Sequence, residues 1–218
     1  MLAAVRDATS GTEAGETAAA PYAADRWLFS HNGALSGWPE TGATLAAALP
    51  AGDMLALEAR CDSAVIWAVV LCRLRAGSGL AEALEETIRE LTARHLGGRF
   101  NFLLTDGETI AATTAGDTLC YRAGPAGVVV ASEPGDDEPG WVDVPDQSLV
   151  EASVGSVTVR PIAAAVPTSA TRSAATGGSR PDAPGIAVAH AVVAAAAWAA
   201  AGASAAAAAG PNGRTPGQ

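Results

Sequence analysis

The chain has 218 residues, enough for one domain of ordinary size with an extension. Its 23 acidic and 13 basic side chains leave a net charge of −10, which excludes the basic stripe that binding a nucleic-acid backbone requires. Three cysteines without a C-x-x-C pair exclude a disulfide framework or a zinc ribbon.

In chain order, Met1–Val5 is a short apolar run stopped by Arg6, as in a buried strand. Arg26–Ser30 is a second strand, expected to end at Asn32-Gly33, a pair that forms hairpin turns. A helix is expected from Asp62 or Ser63, both good N-cap residues, with Val65, Ile66, Val69, Val70 and Leu74 as its apolar face up to Gly77. A second helix, Leu80 to His95, places Leu84, Ile88 and Leu91 on one face and Glu85, Glu86, Arg89 and Glu90 on the other. After Gly97-Gly98 the pattern becomes that of strands: Phe100–Thr105, Glu108–Thr113, Thr118–Arg122 and Val128–Ser132. Leu149–Glu151 and Val154–Arg160 read as a closing hairpin around Gly155. Two helices among many antiparallel strands predict an α+β fold of layered sheets with helices packed outside.

Residues 1–160 and 161–218 are different materials. The first part has a net charge of −12, the second +2, with Arg172, Arg180, Asp182 and Arg214 as its only charges. Residues 161–184 have the small polar and Pro-rich composition of a linker. Residues 186–209 are uncharged and Ala-rich, long enough for a membrane span, yet one Ile, three Val and one Trp are too few to drive insertion. A disordered or helical tail is the expectation, with nothing tying it to the core.

Three short motifs could carry chemistry. In Arg6-Asp-Ala-Thr9-Ser-Gly11 a guanidinium at a strand end could clamp a carboxylate bidentately, or lie on the surface before a loop. In Ser30-His31-Asn32-Gly33 an Asn amide and a Gly N–H are the two donors an oxyanion hole needs, though the same pair makes ordinary turns. In Cys61-Asp62-Ser63 the carboxylate could hold an ammonium or simply cap the helix. The acidic residues Glu133, Asp136, Asp137, Glu138, Asp143 and Asp146 lack the spacing of a calcium loop and read as a solvated loop. His31, His95 and His190 are too scattered for a metal site, and no glycine-rich phosphate loop is present, so neither metal nor cofactor is expected.

Taken together and in this order, the three motifs resemble the glutaminase domain of class II glutamine amidotransferases, a branch of the N-terminal-nucleophile hydrolases. Ala20-Pro21-Tyr22 is similar to that family's approach to the H-N-G segment. The stretches at 101–119 and 128–134, with Asp136-Asp137, Trp141 and 144–150, look like the subfamily that hydrolyses γ-glutamyl hercynylcysteine S-oxide in ergothioneine biosynthesis. The resemblance covers about residues 2–160. Gly135 departs from it, where an aromatic residue is usual.

The resemblance implies an αββα layered sandwich, incomplete at its N-terminal end, and a small γ-glutamyl substrate. Arg6, with Thr9, would bind its α-carboxylate, Asp62 its α-amine, and Asn32 and Gly33 the oxyanion. It also implies a nucleophilic cysteine directly after the initiator Met, with its own α-amine as base. Residue 2 is Leu here, so no nucleophile is expected in this chain, and the polypeptide is expected to be inactive as written. Two alternatives stand beside γ-glutamyl hydrolysis: the glutaminase subunit of another amidotransferase, and a non-catalytic truncated remnant. The expected setting is the cytoplasm of a bacterium, since all 13 basic residues are Arg, as in GC-rich genomes, and no signal peptide is visible.

Overall fold

Two antiparallel sheets stack face to face, and the helices cover one of them. The computed structural model describes residues 1–4, 16–163 and 193–198. The central sheet has six strands: β2 (Tyr22–Ala24), β3 (Trp27–Leu35), β4 (Gly98–Thr105), β5 (Thr109–Thr114), β9 (Ser148–Ser153) and β10 (Ser156–Pro161). Their order is β10-β9-β5-β4-β3-β2. The outer sheet holds β1 (Leu2–Ala4), β6 (Cys120–Gly124), β7 (Gly127–Ala131), β8 (Val142–Asp143) and β11 (Val193–Trp198), in the order β1-β11-β7-β6-β8.

Strand alternation gives the central sheet two apolar faces. Phe29, Phe102, Leu104 and Leu149 turn toward the helices and pack in one cluster with Ile66, Val70, Leu84 and Leu91. Leu103, Ile110, Ala112 and Val150 turn the other way onto Val128 and Val130 of the outer sheet and onto Leu119, which leads into it. Because both faces are covered, these strands read as nearly continuous apolar runs.

The helical layer is built on α3 (Asp62–Arg75) and α4 (Leu80–Ala93). Helix α3 is buried on most of its circumference, including Val65, Ile66, Trp67, Val69 and Val70. It ends at Gly77 with φ +103°, where Ser78 N–H donates to Arg73 C=O and Gly77 N–H to Leu74 C=O, a Schellman ending that needs the left-handed conformation glycine supplies. Two short helices, α1 (Glu40–Ala46) and α2 (Ala51–Leu55), follow Pro39 and Pro50. Their Ala- and Gly-rich sequences have no apolar period, so nothing announced them.

Three expectations change. The chain does not turn at Asn32-Gly33: β3 runs on to Leu35, with Asn32 opposite Asn101 and Gly33 opposite Phe100. Glu85 does not face solvent but is buried, receiving both guanidinium branches of Arg160 at 3.1 and 2.8 Å and the Ala163 N–H at 2.9 Å. Of the tail, Val193–Trp198 is neither helical nor detached: it is a strand between β1 and β7, with Ala195 opposite both Leu2 and Val130. The hydrogen-bonding edges of β1 and β7 decide its conformation there, overriding the helix preference of alanine. The rest of the tail lies outside the described residues, and among those described the helices lie on one side of the sandwich and none is long and apolar enough to cross a membrane.

Candidate active site

The residues around Asn32 and Gly33 are held by β3, β4 and the first turn of α3. Side chains alternate along β3, so Phe29 and His31 face the helices while Ser30 and Asn32 face the outer sheet. Ser30 is 1% exposed, and among the described residues its hydroxyl has no hydrogen-bond partner. Asn32 is half-buried, and among the described residues no hydrogen bond occupies its amide.

Gly33 has φ +146°, and a Cβ placed there would fall on the Arg99 carbonyl oxygen of β4. Only glycine fits so close an approach between two backbones. Two residues on, the Leu35 N–H donates to Asp62 Oδ2 at 2.8 Å and not to β4. Strand alternation turns the Gly33 N–H to that same open side, past the end of β2, whose pairing with β3 stops at Phe29.

Asp62 is the first residue of α3 and is 9% exposed. Its Oδ1 accepts the Ser63 N–H at 2.8 Å while Oδ2 takes Leu35, so the carboxylate fastens the helix start to the end of β3. A negative charge is favoured at this position by the helix dipole. Each oxygen keeps a further lone pair, so structural anchoring and ammonium binding are compatible.

His31 completes the cluster. Its Nε2 lies 2.9 Å from the Arg99 carbonyl and its Nδ1 3.0 Å from Ser63 Oγ. The ring rests against Phe102 edge-on at 5.2 Å and over Phe100 at 6.3 Å. Burial holds its pKa below the ordinary 6.5, against the opposing pull of Asp62. Beyond it, Asn101 fixes the turn at 115–118, donating to the Asp117 and Thr118 carbonyls at 3.0 and 2.9 Å and accepting the Ala115 N–H at 3.0 Å. Arg99 Nε lies 3.5 Å from Asp117 Oδ2 on the same rim.

The structure therefore brings Asn32, Gly33 and Asp62 to one end of β3. Arg6 and Thr9 lie outside the described residues. The contributions of His31, Ser63 and the Arg99 carbonyl were missed in sequence reading. The first two lie within the motifs, where no role was assigned to them in this site, and a backbone carbonyl leaves no sequence signal.

None of the three cysteines has the surroundings of a nucleophile. Cys61 is fully buried, with Sγ 3.2 Å from the Tyr22 hydroxyl. Burial and the Asp53 carboxylate push Cys72 up to about 11, and burial with Asp143 and Glu133 does the same to Cys120. In the acidic region, Asp136 is held below the usual carboxylate range by the Trp141 indole N–H and by Arg122, which it pairs at 2.7 and 3.0 Å.

Comparison with known proteins adds the family. The model of class II glutamine amidotransferases matches residues 1–128. The gamma-glutamyl-hercynylcysteine sulfoxide hydrolase of Mycolicibacterium smegmatis is 40% identical over 164 residues, covering 74% of this chain and 64% of that protein. The protein of the same name from Mycobacterium tuberculosis is 41% identical over 159 residues, covering 73% and 61%. The chain thus spans a little under two thirds of the length of these curated relatives. A class II glutamine aminotransferase domain protein from Silicibacter pomeroyi superposes with a TM-score of 0.55 at 23% identity, over 68% of this chain and 73% of that one, a likeness of fold. With more than half its length matched by the family model, the chain belongs to the class II glutamine amidotransferases.

Proposed function

We propose that residues 1–160 form the γ-glutamyl pocket of an amide hydrolase whose substrate is γ-glutamyl hercynylcysteine S-oxide, released as hercynylcysteine S-oxide and glutamate. The observation that carries this reading is the Asn32-Gly33 pair: an amide with no hydrogen bond among the described residues, beside a glycine N–H that points away from its neighbouring strand, on the strand whose Leu35 N–H is held by the buried Asp62 carboxylate. The names of the two mycobacterial relatives support the choice of substrate.

In this reading the Asn32 amide and the Gly33 N–H stabilise the oxyanion that forms when the γ-carbonyl is attacked. Asp62 accepts the substrate ammonium, and Arg6, assisted by Thr9, pairs with the α-carboxylate. The attacking thiolate belongs to an N-terminal cysteine, as the family resemblance implies, and Cys61, Cys72 and Cys120 do not replace it. Attack breaks the amide bond, the amine leaves with a proton, and water then hydrolyses the glutamyl thioester.

The test measures glutamate release by two polypeptides, residues 1–218 alone and the same residues preceded by a segment that starts Met-Cys. Turnover is expected only from the second, and changing that Cys to Ala should abolish it. In the active form Asn32→Ala should lower kcat by about 100- to 1,000-fold, with KM nearly unchanged. Equal turnover by both polypeptides, or an Asn32→Ala variant with undiminished kcat, would defeat the proposal.

A further inference from the structure

We infer that His31 is a positioning residue of this site, one whose ring holds the Gly33 segment of β3 against β4 and, through its other edge, holds the start of α3. The inference rests on the hydrolase reading above.

A carbonyl oxygen only accepts, so the 2.9 Å contact to Arg99 places the ring proton on Nε2. In the neutral ring Nδ1 is then an acceptor, and the Ser63 hydroxyl at 3.0 Å donates to it. The Arg99 carbonyl that receives the Nε2 proton is the same oxygen that a Cβ at Gly33 would strike. His31 thus fixes the wall against which Gly33 is folded. On its other side, Ser63 N–H donates to Asp62, and Asp62 accepts from Leu35.

These contacts close a ring. Arg99, His31, Ser63, Asp62 and Leu35 are joined in sequence by hydrogen bonds, and the ring ties down both flanks of Asn32-Gly33. Both imidazole nitrogens are engaged, so His31 acts through its neighbours and does not itself take a proton from the reacting groups. The charged groups facing it are Asp62 on α3 and Arg99 on β4. The neutral imidazole offers a donor and an acceptor on opposite edges of one rigid ring.

The two links predict separable kinetic effects. The Arg99 link sets the Gly33 N–H, which acts on the oxyanion in the transition state, so its loss lowers kcat. The Ser63 link sets Asp62, which binds the substrate amine in ground and transition states alike, so its loss raises KM.

The experiment uses the active, N-terminally extended form with the γ-glutamyl substrate. His31→Asn, whose amide falls short of Arg99, should lower kcat by about 100-fold, the scale of a misplacement near 1 Å, with KM near wild type. His31→Gln, which keeps a donor at the Nε2 end but loses the Ser63 link, should recover most of that kcat while KM rises. Ser63→Ala should raise KM and leave kcat within about threefold. Imidazole 15N shifts of wild-type residues 1–218 should show, at neutral pH, a protonated Nε2 and a bare Nδ1 on His31. The opposite tautomer, or variants that change kcat and KM in equal proportion, would overturn the inference. If Asn32→Ala also leaves kcat untouched, the hydrolase reading itself has failed; if Asn32→Ala acts and the His31 variants do not split, only the positioning role has.

Discussion

The central sheet is assembled from three hairpins laid edge to edge, β2-β3, β4-β5 and β9-β10, whereas the outer sheet holds one hairpin and takes strands from the two ends of the described chain. Strands β4 and β5 are joined by a short turn, as are β9 and β10, and β4, β5 and β9 are covered on both faces while β10 is an exposed edge. In the outer sheet only β6 and β7 form such a hairpin, while β1 and β11 come from opposite ends of the described chain. Local pairing followed by two-sided burial makes a rigid platform, and the Gly33 site is cut into it. The outer sheet closes over that platform through pairings that cost more chain entropy to make.

The sharpest way to break this contrast is to hollow the platform. Phe102→Ala removes a fully buried ring that meets Phe29 at 5.6 Å and Phe100 at 6.1 Å, and should cost about 3–5 kcal/mol in urea unfolding. Val130→Ala, in the outer sheet, should cost about 2 kcal/mol. Equal losses would mean that the two sheets contribute alike.

Truncation after Ala163 comes next. It removes β11, so hydrogen exchange should accelerate at the β7 amides that face β11, while those that face β6 and those of β4 and β5 stay protected. Unchanged protection across β7 would show that the outer sheet holds without its tail strand.

A smaller effect is expected where α4 meets the edge of the platform. Arg160→Ala strands the buried Glu85 carboxylate and should cost about 1–3 kcal/mol, less than a fully buried pair because Arg160 is partly in solvent. The Arg160 hydrogen bonds hold Glu85 below its ordinary 4.5, so the contribution is complete above that value and is lost as pH falls through the lowered pKa. The gap between wild type and Arg160→Ala should therefore narrow in acid; a constant gap would deny the pairing.

The smallest effect concerns His31. Its pKa is lowered in the fold, so above 6.5 it is neutral both folded and unfolded and adds no pH dependence. As pH drops below 6.5 the unfolded chain takes up the proton first, and stability declines until His31 itself protonates. Comparing denaturation midpoints of wild type and His31→Gln from pH 7 to 5 checks this, and parallel curves would contradict it.

Much of the platform was legible in the sequence because its signals are local. The helices begin at Asp62 and Leu80, where the apolar periods begin, although the first is capped one residue earlier, at Cys61, and the hairpin at Gly155 sits between β9 and β10. What escaped were features set by partners distant in sequence. Asn32-Gly33 reads as a turn until β4 is present to pair with it, and Glu85 reads as solvent-facing until Arg160 arrives. The strand at Val193–Trp198 exists because two strands offer it their edges, a condition that an Ala-rich segment does not reveal. Of the candidate site, Asn32, Gly33 and Asp62 could be named from their motifs. The hydrogen bond from His31 to the Arg99 backbone carbonyl could not, because a carbonyl has no sequence signal.

The pairing of Leu2 with Ala195 has a kinetic consequence. The central sheet closes its longest pairing, β3 with β4, within the first half of the chain, but β1 finds its strand partner only near residue 195. Contacts of such high sequence separation form slowly. Strand β1 should therefore be among the last elements to settle during folding, after the sheet that carries Asn32 and Gly33.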